Sequence, residues 1–88
     1  MNKEMVKTKH NYSKIEGSKV YIGNISYDFS YNYGKTEFTF IDKDNKEHKI
    51  IMSGTIREAI KEYSKGLNKD IYIDDIKINR LEEIEVPF

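Results

Sequence analysis

Tyr21, Tyr31, Tyr33 and Tyr72, with Lys19, Lys35 and Lys49, are the residues of this chain whose types suit one kind of chemistry. Aromatic rings offer faces on which bases stack, and ammonium groups pair with phosphate. The residue types that reactions need are not arranged for them. Asp74-Asp75 and Glu82-Glu83 are adjacent pairs, and neighbours on a strand face opposite ways, whereas hydrolysis by paired carboxylates needs both on one cleft. "DKDN" at 42–45 opens like a calcium loop, but Lys46 and Glu47 stand where the pattern needs Asp or Asn and then Gly. His10 and His48 lack the companion ligands of a metal site and are expected on the surface. No serine or threonine has an identifiable base partner, and there is neither a glycine-rich phosphate loop nor a cysteine. The expectation is a protein that is not an enzyme and holds neither metal nor cofactor.

The chain as a whole bounds what can position these side chains. Its 88 residues are 38% hydrophobic, enough for one domain, since a chain of this length buries only about 60–65% of its unfolded surface. Without cysteine no disulfide supplements that core. No window approaches the roughly 20 apolar residues of a membrane span, and residues 1–19 lack the apolar centre of a secretory signal. A soluble, cytoplasmic protein is expected. Net charge is zero, but Lys3, Lys7, Lys9, Lys14 and Lys19 make the amino end basic. Asp70, Asp74, Asp75, Glu82, Glu83 and Glu85 make the carboxy end acidic. Abundant Lys, Ile, Asn and Tyr beside few Ala and Pro match coding from an AT-rich genome, such as that of a low-GC bacterium or its phage.

Residues 1–17 show no periodicity and read as a flexible basic arm ending at Gly17, with one domain over 18–88. In "SKVYIGNISYDFSYNY" the apolar phase is even at Val20 and Ile22 and odd at Ile25, Tyr27, Phe29, Tyr31 and Tyr33. A single long strand can keep both sets inward only with a bulge at Gly23-Asn24. "KTEFTFID" and "HKIIMS" alternate as strands around the turn "KDNKE". "TIREAIKEYSKGL" changes to helical spacing, with Thr55 and Glu58 placed as a capping box and Gly66 as a left-handed cap. "DIYIDDIKINR" switches phase at Asp74-Asp75, which implies another bend, and "EEIEVPF" alternates as a last strand.

This order, three strands, a helix, two strands, resembles the oligonucleotide/oligosaccharide-binding fold over residues 18–88, and "TEFTFIDKDNKEHKIIMSG" and "YSKGLNKDIYI" resemble its middle strands and helix exit. The resemblance implies a mainly β, α+β domain: a small five-stranded barrel with one α-helix between strands 3 and 4. Ile25, Tyr27, Phe29, Phe38 and Phe40 would then fill the barrel. Tyr21 and Tyr72, each between inward aliphatic residues, would meet outside, because strands one and four of that fold are neighbours. Tyr31 and Tyr33 would lie in a loop that such folds use for ligands.

The reading that follows is a small binding protein holding single-stranded DNA or RNA on an outer face. Its site comprises Tyr21, Tyr72, Tyr31, Tyr33, Lys19, Lys35 and Lys49. The alternative is a phage-type inhibitor of a host nuclease or defence protein, such as a CRISPR effector. It would act through an acidic edge of Asp74, Asp75, Glu82, Glu83 and Glu85 that occupies a basic groove. A third reading is an accessory subunit pairing strand edges with a copy of itself or a partner.

Overall fold

The computed structural model describes residues 11–81. Within these residues five strands and one helix follow in the order β1 (Ser13–Lys14), β2 (Val20–Ile22), β3 (Lys35–Asp42), β4 (Glu47–Ser53), α1 (Ile56–Ser64) and β5 (Ile71–Arg80). The strands form one sheet in the order β1-β2-β5-β3-β4. β2 runs parallel to β5, and the other neighbours are antiparallel. The sheet is open. β3 has β5 on one side and β4 on the other, so no edge is left on it for the amino-terminal strand to close a barrel. The barrel expected from the sequence is corrected to an open, mainly β, α+β sheet covered by a helix.

The long bent first strand is corrected too. β2 ends at Ile22, the Gly23 amide still bonds the Ile73 carbonyl at 2.9 Å, and the chain then leaves the sheet. The phase switch at Gly23-Asn24 therefore marks a strand end. Ile25, Phe29 and Tyr33 pack on the core from a loop, whereas Tyr27, expected inside, is 42% exposed. A second boundary also moves. Within the arm expected at 1–17, Ser13 and Lys14 pair with Ile22 and Tyr21, and Ile15 is buried in the core. A tight turn allows this: the Ser18 amide bonds the Ile15 carbonyl at 3.0 Å, with Gly17 at φ 80 in the position that a type II turn reserves for glycine.

The helix forms where its periodicity and cap say it should. The Thr55 hydroxyl accepts from the Glu58 amide at 3.0 Å, and the Glu58 carboxylate accepts from the Thr55 amide at 2.9 Å. Ile56, Ala59 and Ile60 are fully buried against Val20, Phe38, Phe40, Ile73 and Ile76. Its exit differs from expectation: Lys65, in right-handed conformation, is the cap residue, and Gly66 is not left-handed. Consecutive bonds from the Lys65, Gly66 and Leu67 amides to carbonyls three residues back close the helix instead. The Asp74-Asp75 switch is a bulge. Ile41 pairs with Asp75 and Asp42 with Ile73, so Asp74 is the extra residue and Ile73 and Ile76 both reach the core. The "EEIEVPF" strand lies outside the described residues.

Candidate nucleic-acid interface

Side chains alternate across a sheet, so burying Val20, Ile22, Ile71 and Ile73 under α1 sends Tyr21 and Tyr72 to the opposite face. The parallel register sets these two directly side by side. Their rings stack with centroids 4.6 Å apart and planes 17° from parallel. Lys14, which pairs with Tyr21 from β1, holds its ammonium 5.8 Å above that ring. Lys43, whose amide bonds the Tyr72 carbonyl, holds its own 5.4 Å from the Tyr72 ring. The result is a row across the strands: cation, ring, ring, cation.

Tyr12 joins the row from the side. Its ring meets Tyr72 edge-on at 5.0 Å, and its hydroxyl donates to the Asp74 carboxylate, the residue that the bulge turns outward. Burial, reinforced by the Asp74 carboxylate, pushes the Tyr12 hydroxyl up to about 12. Gly23 makes the crossing possible: a Cβ there would come 3.3 Å from the Tyr12 ring and 3.4 Å from the Ile73 carbonyl oxygen.

The remaining expected site residues do not gather here. Tyr33 packs on Phe38 with ring centroids 6.3 Å apart, and Tyr31 meets Tyr33 edge-on at 4.7 Å while staying 51% exposed. This pair lies at the other end of the sheet, where Tyr33 bonds Gly54 and Thr36 stands opposite Arg80. Eight residues of β5, at about 3.3 Å each, separate Arg80 from Tyr72, so about 25 Å divides the two tyrosine pairs. Lys35 belongs to that distant end, opposite Ser53. Lys49, on the edge strand β4, lies between the carboxylates of Glu37 at 3.9 Å and Glu47 at 3.7 Å. The Lys19 ammonium donates to the Leu67 carbonyl at 3.0 Å below the helix exit. Of the acidic edge, Asp74 is bound to Tyr12 and Asp75 is exposed, while Glu82, Glu83 and Glu85 lie outside the described residues.

His48 is buried, 8% exposed, which corrects the surface position expected of it. It stands opposite Phe40 on the core face. Its Nε2 lies 2.9 Å from the Asp42 carboxylate, and its Nδ1 lies 3.0 Å from the Tyr63 hydroxyl. An ionised carboxylate only accepts, so Nε2 carries a proton and donates to Asp42. Burial pushes the Asp42 carboxyl up. The bonds from His48 and from the Lys46 and Asp44 amides outweigh that and hold it below the usual range. The arrangement has the members of an acid–base relay, but both ring nitrogens are engaged within the protein. It ties the β3–β4 turn to α1.

Tyr12 and Lys43 were not recognisable as site residues in the sequence, and Lys14 stood out only as one of the basic arm's lysines, which could either lie on phosphate or keep the arm soluble. Tyr12 and Lys14 share a face two residues apart, with Ile15 on the other, which is a strand signal hidden in a lysine-rich end. Lys43 sits in a turn and gives none. Among the described residues no group of three or more His, Cys, Asp or Glu could hold a metal ion, and no helix is long and apolar enough to cross a membrane. No protein-family model, curated protein or solved structure matches the chain.

Proposed function

We propose that this protein is a non-enzymatic binding module that holds single-stranded nucleic acid on the outer face of its sheet. The observation that carries this reading is the row Lys14, Tyr21, Tyr72, Lys43. One face of Tyr21 lies on Tyr72; the other is covered by a lysine ammonium on a flexible stem. A base entering there replaces a cation–π contact of about 0.5–1 kcal/mol at an exposed site with a stacking contact of about 1–3 kcal/mol. The displaced ammonium then reaches the phosphate of the same nucleotide. The exchange favours a ligand that brings a flat ring and a negative charge together. Zero net charge means that long-range attraction contributes little, so contact must come from the row.

The test is titration of a fluorescein-labelled oligonucleotide, DNA and RNA in parallel, at low ionic strength. Tyr21→Ala with Tyr72→Ala should weaken binding at least about fivefold, as the loss of even one base stacked at about 1 kcal/mol implies. With no tryptophan in the chain, quenching of tyrosine emission on binding reports the same interaction directly. Absence of binding to both nucleic acids would reject the reading in favour of the acidic-edge inhibitor.

A further inference from the structure

The row has two ends, and the surfaces beyond them differ in charge. Beyond Lys14, a cleft of about 610 Å³ opens between the β1–β2 turn and the carboxy-terminal half of α1. Lys14, Lys19, Lys61 and Lys65 line it with Ser18 and Ser64, and among the described residues no carboxylate lines it. Beyond Lys43, a smaller cleft of about 200 Å³ is lined by Asp42, Asp44 and Asp70 beside Lys43 and Lys69. Lys14 belongs to both the tyrosine row and the basic cleft.

We infer that the basic cleft is a phosphodiester-backbone subsite, so that a single strand stacked on Tyr21 leaves the row over Lys14 and runs into it. This rests on the reading of the tyrosine row given above. The carboxylates beyond Lys43 repel a strand leaving by that side, and the lysines beyond Lys14 attract it. Lysines near a helix carboxy terminus also stabilise its exposed carbonyls, an effect confined to the last turn. Lys14 stands on a strand, outside the reach of that role. Lys65 has Glu62 at 3.2 Å, but both side chains are more than half exposed, and such a pair yields readily to phosphate. The hydroxyls in the cleft are engaged internally: Ser18 donates to the Ile15 carbonyl at 2.7 Å, and Ser64 accepts from the Lys19 amide at 3.0 Å. The ammonium groups are the charged donors that line the cleft. They recognise charge and carry no information about base identity, so the cleft adds affinity without sequence preference.

The experiment uses the full chain, a labelled oligothymidylate and an abasic deoxyribose-phosphate strand of equal length, each titrated over a range of salt. Lys61→Gln with Lys65→Gln should reduce the magnitude of the log-affinity against log-salt slope by about 0.7 for each phosphate that is no longer neutralised. The same variant should weaken the abasic strand severalfold, and Lys61→Arg with Lys65→Arg, which keeps the charge and controls for folding, should restore both. If the wild-type chain binds oligothymidylate and the glutamine variant leaves slope and abasic binding unchanged, the cleft is off the path while the tyrosine row stands. If the wild type binds neither strand, both readings fall. If polyglutamate or inorganic triphosphate displaces the strand as well as unlabelled oligothymidylate does, the cleft is a general anion patch and the inference is overturned.

Discussion

Two pairs of tyrosines lie at opposite ends of β5, and they are made in different ways. Tyr31 and Tyr33 are near neighbours in sequence, on a loop that leaves the sheet; Tyr21 and Tyr72 come from separate strands that a parallel register brings together. In the loop pair one ring is committed to the core: Tyr33 packs on Phe38, and burial pushes its hydroxyl above the ordinary tyrosine range. Tyr31 is left exposed, and among the described residues no ammonium lies over its ring. In the cross-strand pair both rings are half-buried and each carries an ammonium. Aromatic content alone does not make a stacking surface. The rings must be held by backbone that is itself fixed, with their faces turned away from the core.

The largest effect that bears on this contrast is expected from Phe38→Ala. It removes a fully buried ring from beneath Tyr33 and should lower stability by about 3–5 kcal/mol in denaturant unfolding. An unshifted midpoint would show that the loop pair does not rest on the core. Next, Tyr33→Ala should cost about 1–2 kcal/mol and Tyr31→Ala no more than about 0.5 kcal/mol, the usual range for an exposed substitution. Equal costs would erase the distinction between an anchored ring and an exposed one. A double-mutant cycle on Tyr21 and Tyr72 should then return a coupling of about 0.5–1.5 kcal/mol. Zero coupling would mean that the two rings share a face without touching.

The smallest effects are in titration, and their signs differ. Tyr12 has a folded value raised from 10.0 to about 12, so the stability it contributes is complete below pH 10 and is lost as pH rises toward 12. Absorbance of tyrosinate should show Tyr12 and Tyr33 titrating late, and Asp74→Asn should bring Tyr12 alone back toward 10. Asp42 has the opposite sign. Its folded value lies below 3.8, so its contribution is present above that pH and is lost as acid protonates it in the folded state. His48→Gln should therefore flatten the acid side of the stability profile and leave the alkaline side unchanged.

Features of short range were legible in the chain. Thr55 and Glu58 sit three residues apart, and their reciprocal bonds need nothing beyond the first turn they cap. The alternation of Phe38 and Phe40 with polar neighbours, and the phase change at Asp74-Asp75, are likewise properties of consecutive residues. They became a strand and a bulge. The same kind of signal at Gly23-Asn24 became a strand end, because the choice between bulge and departure depends on whether a partner strand waits beyond Ile22. β3 was already paired on both sides.

Local order alone determined one helix, the cores of the main strands, and the outward direction of Tyr21 and Tyr72. Tertiary structure decided that the sheet stays open and that Tyr12 and Lys14 complete the row. It also decided that His48 is buried between Asp42 and Tyr63, and that about 25 Å lies between the two tyrosine pairs. The physical reason is reach. A cap or an alternation is written in residues two to four apart, whereas Tyr12 meets Asp74 across 62 positions, and nothing in either neighbourhood specifies the other.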